Sequence, residues 1–175
     1  MVITLLSGAA MGFVNRATVE RIQAQKQLQA ENARREALPQ AETFEGREAD
    51  GFEYTVGLAG QQIVGYTFLA LGKGYSSTIE TVVGVDPAGK VVEIEIIFQQ
   101  ETPGLGARVV EVRGGEEEPF FEEQFDGRAI ESLAVKQDGG PLDSITGATI
   151  SSRAVARSVK EGIERLMEMV GREAM

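Results

Sequence analysis

The chain of 175 residues contains no cysteine and no histidine. Without cysteine there are no disulfides, no thiol nucleophile, no thiolate-held iron–sulfur cluster and none of the common structural zinc sites. Without histidine there is no histidine triad, no histidine-ligated haem and no usual catalytic zinc site. Any redox chemistry must come from a cofactor held by other means, and no metal site or catalytic acid–base constellation is expected. Positive charge is also scarce: Lys+Arg 17 against Asp+Glu 27 gives a net charge of −10. Phosphate neutralisation needs basic residues, so nucleic acid is excluded as a partner. What the chain has is a 42% apolar fraction and 21 glycines. That suits one domain with a real core, many tight turns and an appendage.

The appendage is N-terminal. Residues 1–14, MVITLLSGAAMGFV, carry no charge. A full span needs about 20 apolar residues, so a short or clipped membrane helix, a signal peptide and a buried helix are all open readings, and a membrane anchor is the one expected. Gly8, Ala9, Ala10 and Gly12 would suit close helix packing in lipid. Residues 15–37 are polar and free of Gly and Pro, and should continue the helix outward to near Pro39. The expected organisation is an anchor and connecting helix over 1–40 and a single domain over 41–175.

That domain reads as α+β, with an antiparallel sheet and a C-terminal helix. Strands are expected over 52–56, 63–70, 78–85 and 90–98, with a short one at 132–137. In the hairpin around Asp86-Pro87-Ala88-Gly89, alternation puts Ile79, Thr81, Val83 and Val85 on one face, with Val92, Ile94, Ile96 and Phe98. Glu93 and Glu95 fall on the opposite face. Glu116, Glu117, Glu118, Glu122 and Glu123 surround Pro119-Phe120-Phe121 and read as solvated charge. Val155, Val159, Ile163, Leu166 and Val170 make a helical stripe over 150–170.

The loop that opens this last helix is Asp143-Ser144-Ile145-Thr146-Gly147-Ala148-Thr149, followed by Ile150-Ser151-Ser152-Arg153. A helix start offers unpaired N–H groups and the positive end of the dipole, a natural phosphate site. Gly147 and Ala148 permit close approach, and Thr146, Thr149, Ser151 and Ser152 can donate to phosphate oxygens. The bland alternative is that Thr149 only caps the helix, in which case Thr149→Ala costs roughly 1 kcal/mol. The lysine of a Walker A loop is absent.

Asp143–Thr149 resembles the flavinylation motif Asp-x-x-Ser/Thr-Gly-Ala-Thr/Ser of FMN-binding domains. Glu101-Thr102-Pro103-Gly104-Leu105-Gly106 is similar to the ETPGLG loop found in the G subunits of Rnf complexes and the C subunits of Nqr complexes, and Gly72-Lys73-Gly74-Tyr75 before a strand also fits. The resemblance covers nearly the whole chain, and the length suits the Rnf proteins better. It implies FMN joined to Thr149 through a phosphoester bond. Asp143, Thr146, Gly147, Ala148, Ser151, Ser152, Glu101, Thr102, Gly104, Leu105 and Gly106 would be the further cofactor-binding residues. The Thr102–Gly106 loop is the expected slot for the ring, with Tyr66, Phe68 or Tyr75 as possible flanks. Glu101 would serve loop structure or ring contact.

The implied function is an electron carrier in a membrane-bound ferredoxin–NAD oxidoreductase that couples electron flow to ion translocation, with no independent substrate catalysis. Its implied partners are the other proteins of the Rnf-type complex and a flavin transferase for maturation. The resemblance also implies a single-pass membrane protein with its FMN domain outside the cytoplasm, against the basic residues (Arg16, Arg21, Lys26, Arg34 and Arg35) that follow the apolar run. An FMN-binding component of an Nqr-type NADH–quinone reductase, or a non-redox anion-binding scaffold, are the alternatives.

Overall fold

The computed structural model describes residues 18, 24–25, 27–115 and 118–173. The expected anchor over 1–14 lies outside these residues. No helix among the described residues is long and apolar enough to cross a membrane. Two compact units are present, one up to Asn32 and one from Ala33. The second holds the sheet, the last helix and the loops between them.

Five strands follow one another in an antiparallel meander: β1 (Thr43–Ala49), β2 (Phe52–Ala59), β3 (Gln62–Lys73), β4 (Thr78–Val85) and β5 (Val91–Phe98). The strand β1 adds to those expected. It is joined to β2 by Asp50-Gly51, both at positive φ (48° and 68°). That is the two-residue turn whose twist matches paired strands. A helix (α1), of which residues 33–37 belong to this unit, precedes the sheet, and a second (α2, Thr149–Glu173) follows it.

The stripe on α2 packs as its spacing requires. Val155, Val159, Ile163 and Leu166 are fully buried against Phe68, Ile79, Val83 and Ile94 of the sheet. Each such side chain contributes about 1.5–3 kcal/mol of transfer free energy. Glycines set the closeness. A Cβ on Gly162 would lie 2.1 Å from the Phe68 ring, and one on Gly72 would lie 2.6 Å from the Ala154 carbonyl oxygen. On the sheet's other face, Ala33 and Ala37 at the end of α1 pack on Val82 and Ile97. Gly84 lets that end of the helix approach: a Cβ there would lie 1.8 Å from the Ala37 carbonyl oxygen.

Three sequence expectations are corrected. In β5 the register slips opposite Gly84/Val85 and again opposite Glu80/Thr81. Val91, not Val92, therefore pairs with Val85, and Phe98 pairs with Glu80. Only Ile94 and Ile96 keep the expected phase, because each bulge inserts one residue and reverses the alternation. Residues 132–137 form no strand. They run from one 3-10 turn (Ile130–Ser132) to the next (Lys136–Asp138), with one parallel bridge between Val135 and Leu142. Glu122 is not solvated: it is buried and accepts a hydrogen bond from the Ile96 N–H at 3.0 Å. Burial, with Glu95, Glu93 and Glu118 nearby, pushes its carboxyl up to about 9, although the Ile96 N–H works in the opposite direction.

Candidate functional site

Three segments far apart in sequence meet at the start of α2. The first is the turn at 74–77 between β3 and β4. The second is the loop after β5, where Pro103-Gly104 make a turn closed by Leu105 N–H on the Thr102 carbonyl at 3.1 Å, with Gly104 at φ 76°. That geometry places glycine where a side chain would be strained. The third is the loop 143–148. It ends in a similar turn, Ala148 N–H on the Ile145 carbonyl at 2.9 Å, with Gly147 at φ 79°. The two turns touch: a Cβ on Gly147 would sit 3.0 Å from Leu105 Cδ2.

Thr149 is the first residue of α2 and is not its cap. The first intrahelical bond runs from Ser152 N–H to the Ala148 carbonyl at 3.0 Å, which puts Ala148 at the cap position. Ser152, one turn in, pins the preceding loop to the helix start without capping its first N–H groups. Its hydroxyl accepts from Ile145 N–H (3.0 Å) and donates to the Ala148 carbonyl (3.1 Å). The Thr149 hydroxyl, half-buried, makes no hydrogen bond among the described residues. It sits where the dipole of a 25-residue helix is positive and where the first N–H groups have no intrahelical acceptor.

Glu101 joins the three segments. Its carboxylate takes hydrogen bonds from the N–H groups of Tyr75 (3.0 Å), Ser76 (3.0 Å) and Ser77 (2.8 Å), and from the hydroxyls of Ser77 (3.0 Å) and Ser151 (2.6 Å). Burial alone would raise its pKa. The Ser151 hydroxyl and the three N–H donors overcome that and hold it at about 2.

The segments that converge here carry exposed apolar side chains. Tyr75 is 74% exposed, Ile150 50% and Leu105 45%. An N–H-rich helix start beside uncovered apolar side chains fits a group with an anionic end and a flat apolar ring, as FMN has. Gly147, Ala148, Gly104, Leu105 and Gly106 lie at this place. Thr102 lies beside it, its hydroxyl 3.5 Å from that of Ser76. Ser151 and Ser152 are buried, and their hydroxyls are committed to Glu101 and to the cap. They shape the helix start and do not present donors outward. Thr146 is exposed and lines a neighbouring cavity of about 360 Å³ with Arg108, Arg113 and Phe120. Asp143 lines the same cavity and pairs with Lys136 at 2.7 Å. Tyr66 and Phe68 are core residues, 7% and 4% exposed, which leaves Tyr75 as the accessible aromatic. Ile150 and the clamp on Tyr75 escaped sequence reasoning. The only hint was the unusual placing of an apolar residue at an exposed helix start.

The model of the FMN-binding domain family matches residues 74–164. The chain belongs to this family. The match starts at the Gly74 turn and runs through α2 as far as Glu164, so it contains all three converging segments. Among curated proteins the chain is similar to the G subunit of the proton-translocating ferredoxin:NAD(+) oxidoreductase complex of Clostridium ljungdahlii, at 33% identity over 155 residues, 86% of this chain and 79% of that protein. It is similar to the G subunit of the ion-translocating oxidoreductase complex of Shewanella oneidensis at 28% identity, over 91% of this chain and 82% of that protein. For the equivalent protein of Pasteurella multocida, the 34% match spans half of that protein. Among solved structures the fold matches Shewanella oneidensis NqrC, with TM-score 0.51 at 18% identity over 78% of this chain and 74% of that one. The FMN-binding domain fold of antiparallel sheet and C-terminal helix is thus shared with NqrC.

Proposed function

We propose that this chain is an electron-carrying subunit of an Rnf-type ion-translocating ferredoxin–NAD oxidoreductase, with FMN attached to Thr149 through a phosphoester bond. The observation that carries the reading is the unbonded Thr149 hydroxyl at the helix start, where the Leu105 side chain meets Gly147 and Glu101 ties the turn bearing exposed Tyr75 to Ser151. Family membership and the relatives from ion-translocating oxidoreductase complexes support the same reading. A scaffold in which Thr149 only caps the helix is disfavoured, because Ala148 holds the cap position and the Thr149 hydroxyl makes no bond to the helix start. The Nqr alternative draws only on a shared fold.

Bound FMN supplies one- or two-electron redox chemistry. The chain's own residues provide the rest. Forming the phosphoester would have the Thr149 oxygen attack the flavin-side phosphorus of a flavin dinucleotide brought by a flavin transferase; the pyrophosphate P–O bond breaks, and the second nucleotide monophosphate leaves with the hydroxyl proton. The phosphodiester keeps one negative charge, which the unpaired N–H groups and dipole of α2 stabilise. Gly147 keeps the backbone low beside it. Leu105, Ile150 and Tyr75 offer apolar surface to the ring and keep water from it, and the N–H groups of the Thr102–Gly106 loop are candidate donors to its polar edge.

The test is a denaturing gel viewed for flavin fluorescence, using protein co-expressed with a flavin transferase and Thr149→Ala beside it. Fluorescence that survives denaturation in the wild type and vanishes in the variant is expected. No fluorescence in the wild type overturns the reading. We place the chain in the cell membrane through residues 1–14, with the FMN domain on the extracytoplasmic side. A reporter fused at Met175 is then active only outside the cytoplasm, and cytoplasmic activity refutes the placement.

A further inference from the structure

We propose that Glu101 is a positioning residue that assembles the flavin shelf in advance: its buried carboxylate ties the 74–77 turn to the first turn of α2, so that Tyr75 and Leu105 flank Thr149 before any flavin arrives. This rests on the reading of Thr149 as the flavin anchor. The hydrogen bonds connect segments 24–26 and 50 residues apart in sequence, and the residue is only 6% exposed. Both carboxylate oxygens are occupied. Oε1 takes Ser76 N–H, Ser77 N–H and the Ser77 hydroxyl, while Oε2 takes Tyr75 N–H and the Ser151 hydroxyl. Nothing is left over to donate to or accept from a ring, so Glu101 acts through the segments it holds.

The surrounding backbone is cut to fit this carboxylate. A Cβ on Gly74 would lie 2.6 Å from Glu101 Oε1. A Cβ on Gly106 would lie 2.6 Å from the Ser151 hydroxyl and 2.8 Å from both Cβ and Oε2 of Glu101. Two of the chain's glycines thus clear room for one side chain, and Gly106 adjoins Leu105. A carboxylate is also the group the donor set demands. Glutamine keeps the shape but places an NH₂ against at least one backbone N–H in either orientation: against Tyr75 on one side, or against Ser76 and Ser77 on the other. Aspartate is one methylene too short to reach both partners.

The test compares wild type, Glu101→Gln and Ser151→Ala, each made with and without a flavin transferase. In the flavin-free proteins, amide hydrogen exchange is read at Tyr75, Ser76 and Ser77 against the amides of β3 and β4. Glu101→Gln should speed exchange at the three amides roughly tenfold or more while the strands stay protected. In the flavin-loaded proteins, gel fluorescence measures covalent loading, and iodide quenching of the native protein measures exposure of the ring. Both Glu101→Gln and Ser151→Ala should lower loading and raise quenching. Wild-type exchange, loading and quenching in Glu101→Gln overturn the proposal. If Glu101→Gln does not fold, Ser151→Ala decides: unchanged loading and quenching there overturn it too. A wild type without covalent flavin overturns the anchor reading instead, while exchange in the flavin-free chains still decides whether Glu101 holds the turn.

Discussion

Thr149 and Thr81 are hydroxyl residues in opposite situations. The Thr149 hydroxyl is unbonded but half-exposed, so water satisfies it and its removal should cost little. Since Ala148 holds the cap position and Thr149 bonds nothing there, Thr149→Ala should change unfolding free energy by less than about 0.5 kcal/mol, smaller than the loss of a cap. Chemical denaturation of the flavin-free protein measures this, and a loss above about 1 kcal/mol, the size of a lost cap, would make the residue structural. Thr81 is fully buried on β4, and its hydroxyl has no partner. The near-isosteric Thr81→Val removes that desolvated oxygen and should raise stability by about 1 kcal/mol in the same assay. The sequence showed that Thr149 sits at a special loop. It could not show which residue caps the helix, because that is decided by a single backbone hydrogen bond and not by residue type.

At the scale of elements, close approach governs the packing. The helix end at Ala37 and the strand β4 meet backbone to backbone at Gly84. Neither carbonyl nor strand can move aside as a side chain could. Gly84→Ala should therefore destabilise by about 2 kcal/mol or more through forced separation, despite the usual gain from replacing glycine in a strand. A lowered thermal midpoint with unchanged sheet content in circular dichroism would check it. The α2 stripe and the hairpin from β4 to β5 were legible because periods of 3.6 and 2 leave a clear trace. The bulges in β5 were not, since an inserted residue is visible only once the partner strand is in register. Strand β1 had one local signal, the Asp50-Gly51 pair, in a segment too polar to alternate. The expected strand at 132–137 failed because its apolar residues, Leu133 and Val135, are buried from turns.

For the molecule as a whole, negative charge is concentrated as well as abundant. Glu122 is neutral when buried among Glu95, Glu93 and Glu118, but ionised once the chain unfolds. Between the unfolded value of 4.5 and the folded value of about 9, the folded state holds one more proton than the unfolded state. Stability contributed by this group is present below pH 4.5 and is lost as pH rises toward 9. Glu122→Gln keeps an acceptor for the Ile96 N–H and cannot ionise. It should raise the thermal midpoint at about pH 8 and leave it nearly unchanged at about pH 4.5, as a pair of melting curves would show. A larger gain in acid than in base would refute the assignment. The acidic composition was plain in the sequence, but that one glutamate of the run lies inside the protein was not, because burial depends on β5 arriving beside it.

The meander has a consequence for the order of assembly. Every ladder in the sheet joins strands adjacent in sequence, so the five strands can pair through local hairpins as they are made. Thr149, the proposed flavin anchor, lies C-terminal to all five strands, and it is properly framed only after α2 has docked on Gly72 and reached back to Glu101. A truncated or undocked chain lacks that frame. Flavin attachment at Thr149, as proposed, would then act as a seal of completion, set on chains whose α2 has closed on the sheet.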